Sequence, residues 1–268
     1  GYLNPDTYIN KDSFEIARLA AGGVIEGLRR ILSGDLNKVF CLVRPPGHHA
    51  LKNLAMGFCL LNNLAIGAEY AFSKGIKRIM ILDWDAHHGN GIQDIFYQSK
   101  SVLYISLHQY PHYPGTGNYD EIGEGKGEGF TVNFPLLSGS GDAEYFHAFN
   151  NFIIKIASQY EPEIIFVAAG YDNHIDDPLS SLKASDRCFA YMTKKLLDLA
   201  ENHCQGKILL SLEGGYNYSS LSSSCVKTIG ELSGLSCQGK YEIDENISNQ
   251  AKNIFRVLEK YLKDYWVL

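Results

Sequence analysis

The sequence predicts an α/β fold, with an open, mostly parallel, doubly wound sheet and helices on both of its faces. Short apolar runs rich in β-branched residues alternate with longer amphipathic stretches, which indicates strands joined by right-handed helical crossovers. The apolar runs are nearly continuous, as in strands that are buried on both faces. The 268 residues, of which 45% are hydrophobic and 20% charged, suit one large globular domain or at most two.

The predicted elements follow from these patterns in chain order. Five apolar runs predict strands at 39–43, 78–82, 102–107, 164–168 and 208–212. Five amphipathic stretches predict helices at 13–32, 60–74, 143–160, 185–204 and about 245–265. Asp12 or Ser13 would cap the first helix, Gly75 would end the second, and Pro162 would follow the end of the third.

Residues 108–130 are predicted to form a long irregular loop. The stretch contains six glycines but matches neither the P-loop pattern nor G-x-G-x-x-G, so we reject nucleotide binding. A long glycine-rich loop at the functional edge of a sheet is typical of a rim or a lid.

Composition restricts the partners and the location. A net charge of -6 without a Lys/Arg-rich run argues against direct nucleic-acid binding and weakly favours a peptide or amine substrate. No apolar run reaches the roughly 20 residues of a membrane span, and we expect no secretory signal. Six cysteines without a CxxC pair argue against a thiolate zinc site and for a reducing compartment. We therefore expect a cytoplasmic protein, or a nuclear one in a eukaryotic cell. The oligomeric state stays open.

Every predicted strand is followed by residues that are able to do chemistry. The five endings, in order, read RPPGHH, DWDAHH, SLHQY, AAGYDNH and EGGYN. In open α/β sheets, ligands bind beyond the carboxyl ends of the strands. We therefore expect all five endings to meet at one edge of the sheet.

The DWDAHH ending indicates a metal site. Asp85 and His87 are two residues apart and project to the same side of an extended chain, and Asp172 is the natural third ligand. Two carboxylates and one imidazole with an open position suit catalytic zinc, with iron(II) or manganese as alternatives. Asp83 could be a fourth ligand, the partner of a histidine, or part of a monovalent-ion site. The alternative for the whole motif is a strand end capped by hydrogen-bonded carboxylates.

The neighbouring endings supply candidate acid, base and donor groups. His48 and His49 follow a rigid Pro-Pro-Gly turn and could act as a general base near neutral pH, or be structural core residues. Tyr216 follows two glycines and could donate to a developing oxyanion, although tyrosine is also common in plain turns. Phe58 and Tyr113 could line an apolar channel or belong to the core.

Taken in order, these motifs resemble the zinc-dependent histone deacetylase family. The stretches RPPGHHA, GFCLLNN, ILDWDAHHGNG, SLHQYPHYPGTG, AAGYDNHIDDPL and LEGGYN carry the resemblance, from about Asp6 to Tyr216. Asn90 in HHGNG and the EGGYN ending are similar to the class II and bacterial deacetylase-like branches. The resemblance implies the arginase-deacetylase fold with eight parallel strands. It also implies that residues 1–268 are a single deacetylase domain lacking the family's N-terminal segment.

The resemblance assigns roles at the chemical centre. Asp85, His87 and Asp172 would be the zinc ligands. His49 would be the general base and acid, and His48 an electrostatic helper paired with Asp83. Asn90 stands where some relatives carry an aspartate partner of the second histidine. Tyr216 would stabilise the oxyanion.

It also assigns the substrate channel and a second ion. Gly57, Phe58 and Tyr113 would form the wall around the acetyl-lysine stem. Leu179 stands where acetylpolyamine-specific relatives carry a glutamate, and Asp6 would hold the substrate backbone at the rim. A structural potassium ion would be bound, largely through backbone oxygens, by Asp83, Asp85, His87, Ser106 and Leu107.

The implied function is zinc-dependent removal of acetyl or other acyl groups from the ε-amino group of lysine in proteins or peptides. Three alternatives stay open. They are an acetylpolyamine or small-amide amidohydrolase on the same scaffold, a two-manganese arginase-like ureohydrolase, and a non-catalytic acyl-lysine-binding scaffold. The ureohydrolase needs further ligands, whereas the AGYDNH ending offers a single aspartate, Asp172.

Overall fold

The fold is built on a six-stranded parallel sheet. A computed structural model of the protein describes residues 1–235 and 246–268. A short antiparallel hairpin, β1 (Tyr2–Asn4) and β2 (Thr7–Tyr8), precedes the sheet. The sheet strands are β3 (Lys38–Cys41), β4 (Ile79–Asp83), β5 (Val102–Gln109), β6 (Thr131–Leu136), β7 (Ile164–Ala169) and β8 (Ile208–Leu212). Their order is β3-β8-β7-β4-β5-β6, and all pairs are parallel.

Helices cover both faces of the sheet. They are α1 (Ser13–Leu32), α2 (Asn63–Ser73), α3 (Asn90–Phe96), α4 (Asp142–Ala148), α5 (Ile154–Tyr160), α6 (Asp186–Cys204), α7 (Tyr218–Leu232) and α8 (Asn249–Leu262). A π-helical turn, Phe149–Ile153, joins α4 to α5. Helices α1 to α3 share one buried cluster with the sheet, and α4 to α8 share the other. None of the described helices is long and apolar enough to cross a membrane.

Strand β4 shows why the apolar runs are continuous. All five of its residues are buried. Ile79 and Ile81 belong to the cluster under α1 to α3, whereas Met80 and Leu82 belong to the cluster under α4 to α8. Successive side chains of a strand point to opposite faces, so a strand covered on both sides is apolar along its length. The buried Asp83, the last residue of β4, is the exception and lies at the site.

The predicted fold class is confirmed, but several elements differ from the prediction. Strand β6 is not among the predicted strands, because Asn133 and Pro135 interrupt its apolar run. Proline is tolerated there because β6 is an edge strand. The short α3 and the serine-rich α7 are also additional to the predicted helices. The predicted start of the last helix, Glu245, lies outside the described residues. The resemblance implied a sheet of eight parallel strands, whereas the main sheet of the described chain has six.

Candidate active site

The metal-ligand candidates meet at the carboxyl ends of two neighbouring strands. Asp85 and His87 follow β4, and Asp172 follows β7, which pairs with β4. One ligand atom from each of the three lies within 4.8 Å of the others. The His87 Nδ1 atom is 3.2 Å from Asp85 Oδ1 and 2.9 Å from Asp172 Oδ2. Both carboxylates are fully buried. The three side chains therefore form one compact donor set.

Backbone amides orient the two carboxylates. The N–H of Gly214 donates to Asp85 Oδ2 at 2.8 Å, and the N–H of Ala86 donates to Asp172 Oδ1 at 2.8 Å. Two buried carboxylates this close are costly unless a cation offsets their charge. Burial disfavours protonation of His87, but Asp172 and Asp85 outweigh it and raise its pKa to about 11. The donor set and its strong attraction for positive charge fit a divalent cation such as zinc.

The tandem histidines lie beside this donor set on the loop after β3. The two imidazole rings are 4.0 Å apart between centroids, and both side chains are almost completely buried. His48 Nδ1 is 3.0 Å from Asp83 Oδ2, and His49 Nδ1 is 2.7 Å from Asn90 Oδ1. Each histidine therefore has its own partner, an anion for one and a neutral amide for the other.

The surroundings of the two histidines shift their pKa values in opposite directions. Burial lowers the pKa of His48, but Asp85 and Asp83 outweigh it and raise the pKa to about 10. Burial and the neighbouring His48 charge lower the pKa of His49 well below its usual range. His48 is thus a cation near neutral pH and His49 is neutral.

Asn90 also fixes the tautomer of His49. Its amide nitrogen points to the carbonyl of His49 and to Met56 Sδ, so its oxygen faces the imidazole. An amide oxygen only accepts hydrogen bonds, so Nδ1 of His49 carries the proton. The Nε2 atom is left as the basic nitrogen.

A narrow cavity of about 130 Å³ opens above these groups. Its residues come from the hairpin and from loops that follow several strands, and they are Asp6, Pro46, His48, His49, Gly57, Phe58, Asp85, His87, Tyr113, Leu179, Gly214 and Tyr216. The rings of Phe58 and Tyr216 are 5.9 Å apart, and Tyr113 stands edge-on to His49 at 5.2 Å. The structure thus brings all the predicted channel residues together with both tandem histidines, two metal-ligand candidates and Tyr216.

Gly57 allows this channel to close around His49. Its φ of 57° lies in the left-handed region, and a Cβ there would overlap the imidazole ring of His49. Glycine is therefore required both by the backbone conformation and by the close approach of the histidine.

Asp6 ties the hairpin to the channel wall. Its Oδ1 accepts from the N–H of Gly57 at 3.1 Å, and its Oδ2 accepts from the hydroxyl of Tyr113 at 2.9 Å. Both carboxylate oxygens are therefore engaged by the chain's own groups. A contact between Asp6 and a substrate backbone stays a prediction.

Tyr216 reaches the cavity from the loop after β8. Its backbone N–H donates to Asp177 Oδ2 at 2.7 Å. Burial, followed by the charges of Asp172 and Asp85, raises the pKa of the Tyr216 phenol far above its usual range. The hydroxyl therefore keeps its proton and can donate a hydrogen bond.

The residues predicted to bind potassium, largely through backbone oxygens, include Asp83 of β4 and Ser106 and Leu107 of β5. Asp83 and Ser106 are partners in the register of β4 and β5, and both are fully buried. Asp83 Oδ1 accepts from the N–H of Asp85, and Ser106 Oγ is 2.8 Å from His108 Nδ1. The side chain of Leu107 belongs to the core. The oxygens of Asp83 and Ser106 therefore already have partners within the protein.

Four residues of the site were not assigned roles from the sequence. Tyr104 donates to Asp83 Oδ2 at 3.1 Å, and His112 stacks on His87 with ring centroids 5.0 Å apart. Arg44 lies over the ring of Tyr216 at 5.9 Å. Glu213 is completely buried, and its carboxylate accepts from two backbone amides. The available signal for Glu213 was its acidic side chain at the end of an apolar strand, directly before two glycines.

Comparison with known proteins identifies the family. The family model described as the histone deacetylase domain matches residues 2–232. A probable deacetylase of Archaeoglobus fulgidus is 46% identical over 217 residues, which cover 81% of this chain and 60% of that protein. Histone deacetylase 15 of Arabidopsis thaliana is 46% identical over 237 residues, covering 87% and 42%. The histone deacetylase-like amidohydrolase of Pseudomonas aeruginosa is 41% identical over 239 residues, covering 88% and 62%.

The fold comparison agrees with the sequence comparison. The crystal structure of the HDA15 HD domain matches with a TM-score of 0.92 and 41% identity, covering 99% of this chain and 72% of that one. The chain spans between 42% and 62% of the length of the three curated relatives. The predicted resemblance and the arginase-deacetylase type of α/β fold are confirmed, and the chain belongs to the histone deacetylase family.

Proposed function

We propose that this chain is a zinc-dependent hydrolase that removes acetyl, or other acyl, groups from the ε-amino group of lysine in proteins or peptides. Family membership supports deacetylase or amidohydrolase activity. One observation carries the finer proposal. Asp85 and His87, which form the donor set together with Asp172, line the same narrow cavity as a neutral His49 and a protonated Tyr216.

Asp85, His87 and Asp172 would hold the zinc ion. Bound zinc would supply a Lewis acid that polarises the amide carbonyl and makes water a stronger nucleophile near neutral pH. The carboxylates are already oriented by the backbone N–H groups of Gly214 and Ala86. The ligands therefore need little rearrangement to bind a cation.

His49 is proposed as the general base and then the general acid. Burial and the neighbouring His48 charge lower the pKa of His49 and so disfavour its imidazolium form. The single proton of the neutral ring is on Nδ1, which donates a hydrogen bond to Asn90 Oδ1, so Nε2 is unprotonated. It can take the proton of the attacking water and later give it to the leaving lysine amine. His48, held as a cation beside Asp83 and Asp85, adds positive charge where the tetrahedral oxyanion develops.

Tyr216 is proposed as the hydrogen-bond donor to that oxyanion. Its hydroxyl stays protonated across the physiological range because burial raises its pKa. A fixed donor in a buried site strengthens its bond as charge develops and so favours the transition state over the ground state.

The cavity supports an extended acyl-lysine side chain as the substrate. Phe58 and Tyr113 give it aromatic walls, and the exposed parts of both rings form its mouth. Leu179 at the mouth is 39% exposed and apolar, so it offers no carboxylate to a second ammonium group. This favours a peptide over an acetylpolyamine, and we propose an acyl-lysine protein or peptide as the partner.

The proposed location, cytoplasmic or nuclear, rests on the composition of the sequence.

The test compares two substrates under defined metal content. The purified chain should release acetate from an acetyl-lysine peptide at least about tenfold faster, in kcat/KM, than from acetylputrescine. Activity should disappear on chelation and return with one equivalent of zinc. Preference for acetylputrescine would favour the polyamine alternative. Metal-loaded protein that binds but never cleaves acyl-lysine peptides would favour the scaffold alternative.

A structural potassium ion is a separate proposal. Asp83, Asp85, His87, Ser106 and Leu107 would supply the ligands, largely backbone oxygens, and oxygen donors suit hard cations. The register of β4 and β5, in which Asp83 pairs with Ser106, supports this proposal. If potassium binds there, the melting temperature should be several degrees higher in potassium chloride than in choline chloride at equal ionic strength. Identical melting curves would reject the ion.

A further inference from the structure

Glu213 is a buried acidic residue for which the proposed mechanism has no use. It follows β8 directly and is completely inaccessible to solvent. Its Oε2 accepts from the backbone N–H of Gly47 at 2.7 Å and of His48 at 3.0 Å. Its Oε1 is buried without a hydrogen-bond partner in the part of the chain that the structure describes. A carboxylate in such a position is costly, so a role is expected for it.

The contacts of Glu213 join the two loops that carry the proposed base and the proposed oxyanion donor. His48 and His49 are on the loop after β3, and Tyr216 is on the loop after β8, the neighbouring strand. The Glu213 carboxylate, on the loop after β8, accepts hydrogen bonds from two backbone N–H groups of the loop after β3. In return, Arg44 of the β3 loop donates to the carbonyl oxygen of Glu213 at 2.5 Å and lies over the Tyr216 ring.

The backbone is closely packed at Gly47 and Gly214, on the two loops that Glu213 joins. A Cβ on Gly47 would lie 2.9 Å from the carbonyl oxygen of Leu61. A Cβ on Gly214 would lie 2.6 Å from Asp85 Oδ2. The backbone on both sides of the contact is therefore packed as closely as glycine permits. A shift of either loop would move His49 or Tyr216 relative to the donor set.

We propose that Glu213 is a positioning residue, which fixes the tandem-histidine loop relative to Tyr216 by accepting the Gly47 and His48 amides. This rests on the proposed function above. This role requires a side-chain oxygen that accepts hydrogen bonds, as Oε2 of Glu213 does. The substitution Glu213→Gln would keep such an oxygen at the same reach, whereas Glu213→Ala would remove it. Misplacement of a catalytic group by about 1 Å can cost on the order of 100-fold in rate.

The chain offers a matched control at the other end of the sheet. Glu163 Oε2 also accepts from two consecutive backbone amides, those of Lys77 at 2.5 Å and Arg78 at 2.9 Å. These residues precede β4, whereas the active-site loops follow their strands. Glu163→Ala therefore removes the same kind of contact without touching the site.

The experiment combines kinetics with amide exchange on metal-loaded protein. Glu213→Ala should lower kcat on the acetyl-lysine peptide about 10- to 100-fold, with KM and zinc content within about threefold of wild type. Glu213→Gln should restore kcat to within about threefold of wild type, and Glu163→Ala should leave it unchanged. Hydrogen exchange at Gly47 and His48 should be at least about tenfold faster in Glu213→Ala but not in Glu213→Gln.

Several results would overturn the proposal. They are unchanged exchange or kcat in Glu213→Ala, loss of zinc from it, and equal damage in Glu213→Gln. A wild-type chain that cleaves no acyl-lysine peptide would instead refute the proposed function, and the exchange data would still decide whether Glu213 holds the loop.

Discussion

His48 and His49 are adjacent in the chain, but their neighbours give them different chemistry. His48 faces the carboxylates of Asp83 and Asp85 and is held as a cation. His49 faces the amide of Asn90 and stays neutral. The tandem motif predicted that acid–base residues would be present. The residues of the motif did not by themselves divide the roles between the two histidines, whereas the family resemblance assigned His48 to Asp83 and His49 to acid–base chemistry. The structure adds which side chain contacts which ring nitrogen.

Glu213 shows the limit of prediction at this scale. Motif residues such as Asp85, His87 and Tyr216 stand out because their types suggest chemistry. Glu213 contacts backbone amides that are 165 and 166 residues away in the chain, and no pattern in the sequence records such a contact. Its proposed positioning role is inferred from its burial and its contacts, which only the structure shows.

Removing the Tyr216 hydroxyl tests its proposed role. Tyr216→Phe should lower kcat by about 100- to 1,000-fold, or about 2.7–4 kcal/mol, because an oxyanion donor acts mainly in the transition state. KM and zinc content should change little. Steady-state kinetics on an acetyl-lysine peptide measure this.

Tyr218 provides the control for that substitution. It lies two residues further on and is 87% exposed. Tyr218→Phe should retain full activity. If Tyr216→Phe stayed within threefold of wild type, Tyr216 would not be the oxyanion donor.

At the scale of elements, the parallel sheet assembles the site. Strands β3, β4, β7 and β8 end at one edge, and their following loops supply the tandem histidines, the three metal-ligand candidates and Tyr216. This convergence was predictable because the carboxyl ends of parallel strands share an edge. Strand β6 and helices α3 and α7 were not predictable, because their sequences lack clear periodicity. Strand β6 contains a proline, α3 is short and α7 is rich in serine.

Glycines at the strand ends leave room for the carboxylates. Gly170 follows β7, and a Cβ there would lie 2.6 Å from the Cα of Asp85. Gly170→Ala should therefore displace Asp85 and reduce zinc affinity and kcat by at least about tenfold. Isothermal titration with zinc and activity measurements report both effects.

Gly22 is a suitable comparison, since it lies on α1 and a Cβ there would meet nothing within 4 Å. Gly22→Ala should leave activity intact and stabilise the protein by up to about 1 kcal/mol through helix propensity. If Gly170→Ala were as active as wild type, the exact position of Asp85 would not matter for activity, which would argue against Asp85 as a metal ligand.

At the scale of the whole molecule, two cores hold the edge of the sheet rigid. The central strands are buried on both faces, and one large apolar cluster lies on each side. Composition and periodicity predicted this doubly wound architecture. They did not predict the number of strands or the hairpin that ties Asp6 to the channel, because both depend on contacts between distant segments.

The stability of the folded protein is expected to depend on pH and on bound metal, because His48 and His87 are buried beside carboxylates. Without metal, His87 has a pKa near 11 and His48 one near 10, both raised above the unfolded value. The stability that these protons contribute is complete below about pH 6.5 and is lost as pH rises toward those values. On the proposed function, bound zinc would replace the proton on His87. The increase in melting temperature caused by zinc should therefore grow from about pH 7 to about pH 8.5.

Thermal unfolding of chelated and zinc-loaded protein across this range measures the difference. A zinc effect that shrank with rising pH would show that His87 does not exchange a proton for metal. An effect that was absent at every pH would show that the donor set does not bind zinc.

On the proposed function, Asp85, His87 and Asp172 bind the metal, whereas His49 transfers the proton. His49→Ala measures this most directly, by zinc content and acetyl-lysine peptide turnover in the same preparation. We expect about one zinc ion per chain, as in wild type, and a kcat reduced by about 100- to 10,000-fold. Loss of zinc together with activity, or turnover within about tenfold of wild type, would contradict it.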